Sequence, residues 1–137
     1  MKIMVAYDGS DAGKEALKVA RYYAKKLMAT VVVVTSFYKG IQDNQEAIQE
    51  AESGLEYAKS LFKKDQIICN TNLLIRGLSP GEDLITFAEE EGVDQIVIGI
   101  RKRSKVGKLL MGSTAQYVIL NARCPVVSIS KTQKNLD

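Results

Sequence analysis

Val31-Val32-Val33-Val34, continued by Thr35-Ser36, sets four β-branched residues in a row with no polar residue between them. Branching at Cβ suits an extended backbone, and the absence of alternation means that both faces of the strand need cover. Such a strand belongs inside a parallel sheet flanked by helices. Gln95-Ile96-Val97-Ile98-Gly99 has the same character, as does the opening Lys2-Ile3-Met4-Val5-Ala6-Tyr7. That opening stops at Asp8-Gly9-Ser10-Asp11, which combines turn chemistry with helix N-cap residues.

Helices are expected between the strands. Leu17, Ala20, Tyr23, Ala24 and Leu27 recur at three- and four-residue spacing, with Lys14, Lys18, Arg21 and Lys25 on the opposite face. Ala47, Ile48, Ala51, Leu55, Ala58, Leu61 and Phe62 mark a second, long helix ending near Lys63 and Lys64, in which Gly54 costs about 1 kcal/mol relative to alanine. Ile67 to Ile75 is apolar at its ends and polar at Asn70-Thr71-Asn72, the pattern of an edge strand. Arg76-Gly77-Leu78-Ser79-Pro80 turns into a helix carrying Leu84, Ile85, Phe87 and Ala88. After Gly99 a basic loop leads to Gly112-Ser113-Thr114 and a fourth helix, and Pro125 opens a last strand, Val126 to Ser130. Five strands alternating with four helices predict an α/β fold, a five-stranded parallel sheet with right-handed crossovers and helices on both faces. One domain over 1–130 and a polar tail over 131–137 account for the 137 residues.

Composition removes whole classes of function. With no histidine, the chain has no imidazole base, no Ser-His-Asp or Cys-His arrangement and no histidine-ligated metal. Cys69 and Cys124 sit in or beside apolar runs and form no C-x-x-C pair, as expected of a cytoplasmic protein in a reducing compartment. No apolar run approaches the length of a membrane span, so no membrane partner is expected. The net charge of +3, from 19 basic and 16 acidic residues, is too small to argue for nucleic acid. No Phe or Tyr interrupts the basic segment between Phe87 and Tyr117, which also speaks against a single-strand binder.

In open α/β sheets, ligands sit beyond the carboxyl ends of the strands where strand order reverses. Adjacent first and fourth strands would bring Asp8-Gly9-Ser10 and the segment from Gly99 to Ser113 to one cleft. That segment holds glycines, hydroxyls and five cations: Arg101, Lys102, Arg103, Lys105 and Lys108. Glycine admits close backbone approach, and free helix N–H groups attract anions. A solvated basic loop followed by an N-cap serine at 113 is the alternative reading. A Walker A loop fails, because Lys102 stands at its first glycine and Leu109 at its Ser or Thr. A G-x-G-x-x-G dinucleotide fingerprint fails at Asp8 to Gly13, which holds Gly9 and Gly13 alone. Gly112 is expected to permit phosphate approach, so that a valine there obstructs it and strains the helix start.

The segment resembles the universal stress protein family, whose nucleotide-binding branch carries G-x2-G-x9-G-S/T after the fourth strand. Gly99 and Gly112-Ser113 match at that spacing, and Lys102 replaces the middle glycine. The resemblance extends to the Val5-Ala6-Tyr7-Asp8-Gly9-Ser10 opening, to Gly77 with Pro80, and to the Ala122-Arg123-Cys124-Pro125-Val126-Val127 close. It implies a Rossmann-like, adenine nucleotide alpha hydrolase-like fold that binds ATP or a related adenine nucleotide, as a stress-linked sensor or regulator with at most slow hydrolysis. It also implies that Ala6 and Asp8 meet adenosine, that Ser36 lies beside the adenine, and that Gly99, Gly112, Ser113 and Thr114 hold ribose and phosphates. Lys102, assisted by Arg101 or Arg103, is expected to neutralise the distal phosphates. Asp8 could hold Mg²⁺ through water, although one carboxylate makes a poor dedicated site. A homodimer is expected through the last strand, whose free edge invites a second strand. Two rivals stay open: a non-nucleotide-binding branch of the family acting through dimer contacts, and a phosphoryl or nucleotidyl transferase using the basic loop.

Overall fold

The computed structural model describes residues 1–105, 108–130 and 136, with the side chains at 39, 42, 102–105 and 108–110 outside that description. Strands β1 (Lys2–Ala6), β2 (Thr30–Ser36), β3 (Cys69–Leu74), β4 (Gln95–Gly99) and β7 (Val126–Ile129) form one parallel sheet in the order β3-β2-β1-β4-β7. Helices α1 (Asp11–Leu27), α2 (Gln45–Lys63), α3 (Pro80–Glu90) and α4 (Ser113–Asn121) connect them, with a short 3-10 turn at Lys39–Asp43. The polar run at Asn70-Thr71-Asn72 is accordingly at one edge, and β7 is at the other.

Two cores explain the unbroken apolar strands. Ile3, Val5, Val31 and Val33 face α1 and α2, where they pack with Leu17, Ala20, Ala58 and Phe62. Met4, Ala6, Val32 and Val34 point the other way and pack with Leu84 and Phe87 of α3 and Ala115 and Val118 of α4. Successive strand residues point to opposite faces, so a strand covered on both sides has no polar phase. Gly54, a weak point of α2 by propensity, leaves room for the Tyr7 ring: a Cβ there would stand 3.3 Å from Tyr7 Cε2.

The structure departs from the sequence-based expectation in the segment after β4. In place of a plain loop, β5 (Lys102–Lys105) and β6 (Lys108–Met111) pair antiparallel, with Lys102 opposite Met111 and Lys105 opposite Lys108. Charged residues carry little strand propensity, and here the pairing is made by backbone groups. Of the expected polar tail, Leu136 packs half-buried against the core on the α1 and α2 side, and 131–135 and 137 lie outside the described residues. Among the described residues, no helix is long and apolar enough to cross a membrane.

Candidate functional site

Strand β1 pairs with β2 on one side and β4 on the other, because the chain runs from β1 out to β2 and β3 and then returns across β1 to β4 and β7. This is the point where strand order reverses, and a cleft of about 300 Å³ opens there beyond the strand ends. Its floor is Ala6, Val34 and Ile98, and its apolar wall is Pro80 and Leu84 of α3 with Ala115 of α4. A groove of about 900 Å³ between α1 and α2 is larger, but it is lined by helix surface such as Lys14, Lys18 and Lys64, away from the strand ends on the α3 and α4 face.

The polar rim is built from two loops and a helix start. Gly9, at φ +81°, turns the chain after β1 in a conformation that favours glycine. The Asp8 carboxylate reaches back over that turn, where Oδ1 accepts from Ser10 N at 3.0 Å and from Ser10 Oγ at 2.5 Å. Ser10 Oγ in turn accepts from Gly13 N at 3.0 Å and caps α1. Across the cleft mouth, Arg101 Nη2 stands 2.9 Å from Asp8 Oδ2. Gly112, Ser113 and Thr114 complete the rim.

The alternative reading of Ser113 as the N-cap is corrected by this geometry. Gly112 occupies the N-cap of α4 and Ser113 is the first helical residue, and among the described residues no side chain bonds the cap. The first-turn N–H groups are therefore left to whatever enters the cleft. The expected strain at Gly112 is corrected too. Its φ of −60° suits any residue, and among the described residues a Cβ there would meet nothing within 4 Å. Gly99 is the tight position instead, because a Cβ on it would lie 2.4 Å from the backbone of Ala12 in α1.

Eight of the nine residues singled out from the sequence thus line one cleft: Ala6, Asp8, Ser36 and Gly99 at strand ends, and Arg101, Gly112, Ser113 and Thr114 beyond them. Lys102 opens β5, and its side chain is outside the described residues. Sequence reasoning missed Asp83 and Arg76. Asp83 is fully buried in the first turn of α3, and its Oδ1 accepts from Arg76 Nε at 2.6 Å. Its Oδ2 accepts from Ser36 Oγ at 3.2 Å. Arg76 is held further by Glu90 Oε1 at 2.8 Å and lies over the Phe87 ring. The two acidic partners push the guanidinium pKa further up. An aspartate in phase with Leu84, Phe87 and Ala88, seven residues after an arginine, was the available signal, and a charged position in an otherwise apolar helix stripe does not announce its burial. Among the described residues, no group of three or more acidic or thiol side chains is placed to hold a metal.

The profile of the universal stress protein family matches residues 1–130. The chain belongs to the universal stress protein family. A universal stress protein structure from Archaeoglobus fulgidus is 41% identical, covers 95% of this chain and 98% of its own, and superposes with a TM-score of 0.86. A second Archaeoglobus fulgidus universal stress protein structure, in complex with dAMP, is 35% identical over 95% of this chain and 98% of its own, with a TM-score of 0.79. A Methanocaldococcus jannaschii universal stress protein is 31% identical over 97% of this chain and 84% of its own length. The five-stranded Rossmann-like sheet of this universal stress protein is thus the family's own fold, with Asp8 and the start of α4 at its switch point.

Proposed function

We propose that this universal stress protein binds ATP or a related adenine nucleotide in the cleft above β1 and β4, and acts as a stress-linked sensor or regulator. The observation that carries the reading is the convergence of Asp8, Arg101 and the side-chain-uncapped start of α4 on one apolar-floored cleft. The dAMP complex of the 35% identical relative supports it. An apolar slot with a few convergent polar groups suits a base and its sugar, and a helix N-terminus with nearby cations suits phosphate. Ala6 and Asp8 meet the adenosine, Ser36 the base, and Gly99, Gly112, Ser113 and Thr114 the ribose and phosphates, with Arg101 and Lys102 neutralising distal charge. Mg²⁺ arrives with the nucleotide, since Asp8 is the one carboxylate among the described lining residues and is already engaged by Ser10 and Arg101. The absence of histidine removes the commonest general base and favours binding over turnover.

We also infer a cytoplasmic homodimer formed through the free edge of β7. Calorimetry is expected to show ATP binding at micromolar to millimolar strength, and mass spectrometry of small molecules released from the purified protein to show an adenine nucleotide. Absence of heat and of competition up to millimolar ATP with Mg²⁺ overturns nucleotide binding and favours the branch that works through protein contacts alone. Rapid turnover without added partners favours the transferase reading.

A further inference from the structure

We infer that Asp83 sets the base selectivity of the cleft by fixing the proton of the Ser36 hydroxyl, an inference that rests on the nucleotide-binding reading above. A serine hydroxyl has one proton and two lone pairs, and a freely rotating one can either donate or accept. Ser36 is not free to choose. Its Oγ donates to Asp83 Oδ2 at 3.2 Å. The carboxylate has no proton to return, because its other oxygen accepts from Arg76 Nε at 2.6 Å and its backbone oxygen accepts from Arg76 Nη2 at 3.3 Å.

Arg76 cannot swing away cheaply either. Glu90 holds Nη1 at 2.8 Å, and the guanidinium sits 5.9 Å from the centroid of the Phe87 ring. Asp83 itself is 0% exposed, so water does not compete for Oδ2. What Ser36 turns toward the cleft is therefore a pair of lone pairs, polarised further by the bond to the carboxylate.

Ser36 shares its stretch of cleft wall with Val34 and Leu84, at the β2 end and away from Arg101 and the start of α4. A base in that slot gains by offering an N–H donor and loses by offering an oxygen. The 6-amino group of adenine donates, whereas the 6-oxo group of hypoxanthine or guanine sets lone pair against lone pair. The arrangement selects 6-aminopurines and rejects 6-oxopurines. Asp83 touches no ligand in this account and acts as a positioning residue through Ser36.

Calorimetric titration with ATP and with ITP, which differ at that group and in the N1 proton that accompanies it, tests the assignment at constant Mg²⁺ and salt. The native protein is expected to favour ATP by about 10-fold or more. Ser36→Ala should bring the two affinities within about 3-fold, chiefly by weakening ATP. In Asp83→Asn the amide oxygen is expected to face Arg76 and its NH₂ to donate to Ser36, which frees the hydroxyl proton for the cleft and removes or inverts the preference. If folded Ser36→Ala binds ATP with the native ATP-to-ITP ratio, the inference is overturned while nucleotide binding stands. If the native protein binds neither nucleotide, the underlying reading falls and takes this one with it. Should Asp83→Asn fail to fold, as a buried ion-pair mutant can, the Ser36→Ala ratio decides alone.

Discussion

Gly99 lies against Ala12 so closely that a Cβ on it would stand 2.4 Å from both the carbonyl carbon and the carbonyl oxygen of Ala12. The glycine that opens the family-type motif therefore has a packing duty, which is to let the first turn of α1 rest on the end of β4. Backbone is in the way, so a side chain cannot be accommodated by a rotamer change. Gly99→Ala is expected to cost about 1–3 kcal/mol in denaturant unfolding, as overpacking does. Gly112→Ala meets open space among the described residues and should cost less, about 0.5–1 kcal/mol, from alanine being a poorer N-cap than glycine. Equal losses at the two positions would refute this division of roles.

The Asp8 and Arg101 side chains are each about half exposed, at 54% and 52%, so their pairing at 2.9 Å contributes about 0–1 kcal/mol to the fold. Arg101→Ala should leave the unfolding midpoint nearly unchanged and weaken ATP more than AMP. Titration of both nucleotides, with a melting curve as control, separates a ligand role from a structural one.

Lys102 replaces the middle glycine of the motif and lies in β5, where an extended backbone does not require glycine. If its ammonium serves the distal phosphates, Lys102→Gly weakens ATP by about 3- to 10-fold more than AMP, and added salt narrows the gap. Equal tightening of both nucleotides would mark the lysine as an obstruction.

Dimerisation through β7 can be tested at one residue. The carbonyls of Pro125 and Ile129 accept from Ile96 and Ile100 of the β4 segment, so by strand alternation Val127 also faces β4 while Ser128 faces the free edge. Proline at 127 would cut the sheet's own ladder, whereas Ser128→Pro removes an outward donor alone. Light scattering is expected to give twice the chain mass of 15.1 kDa for the native protein and a shift toward monomer for Ser128→Pro. A native mass of one chain at all working concentrations rejects the dimer.

Burial pushes the Cys69 thiol up to about 11, with Lys59 opposing weakly. The folded value exceeds the ordinary one of 9.0, so its contribution to stability is intact below about pH 9 and is lost as pH rises toward 11. Cys69→Ala should flatten that alkaline loss. A thiol reagent at pH 8 is expected to leave Cys69 unmodified until denaturant is added.

Strand and helix positions were legible in the sequence because burial on both faces removes alternation from a strand, and burial on one face imposes a three- and four-residue rhythm on a helix. Val31 to Val34, Gln95 to Gly99 and the apolar stripe of α1 follow those rules, and Asn70-Thr71-Asn72 marked an edge. Composition also settled what chemistry is missing, since no arrangement of this chain can supply an imidazole. Tertiary structure decided the rest. Lys102 to Lys105 form a strand because backbone groups pair with Lys108 to Met111, a contact that side-chain pattern does not encode. Gly99 is tight and Gly112 open because of where α1 lies, and that is a matter of distance between elements far apart in sequence. Ser36, Arg76 and Asp83 meet across 47 residues, and only the closure of the sheet brings a hydroxyl, a guanidinium and a buried carboxylate within hydrogen-bond reach.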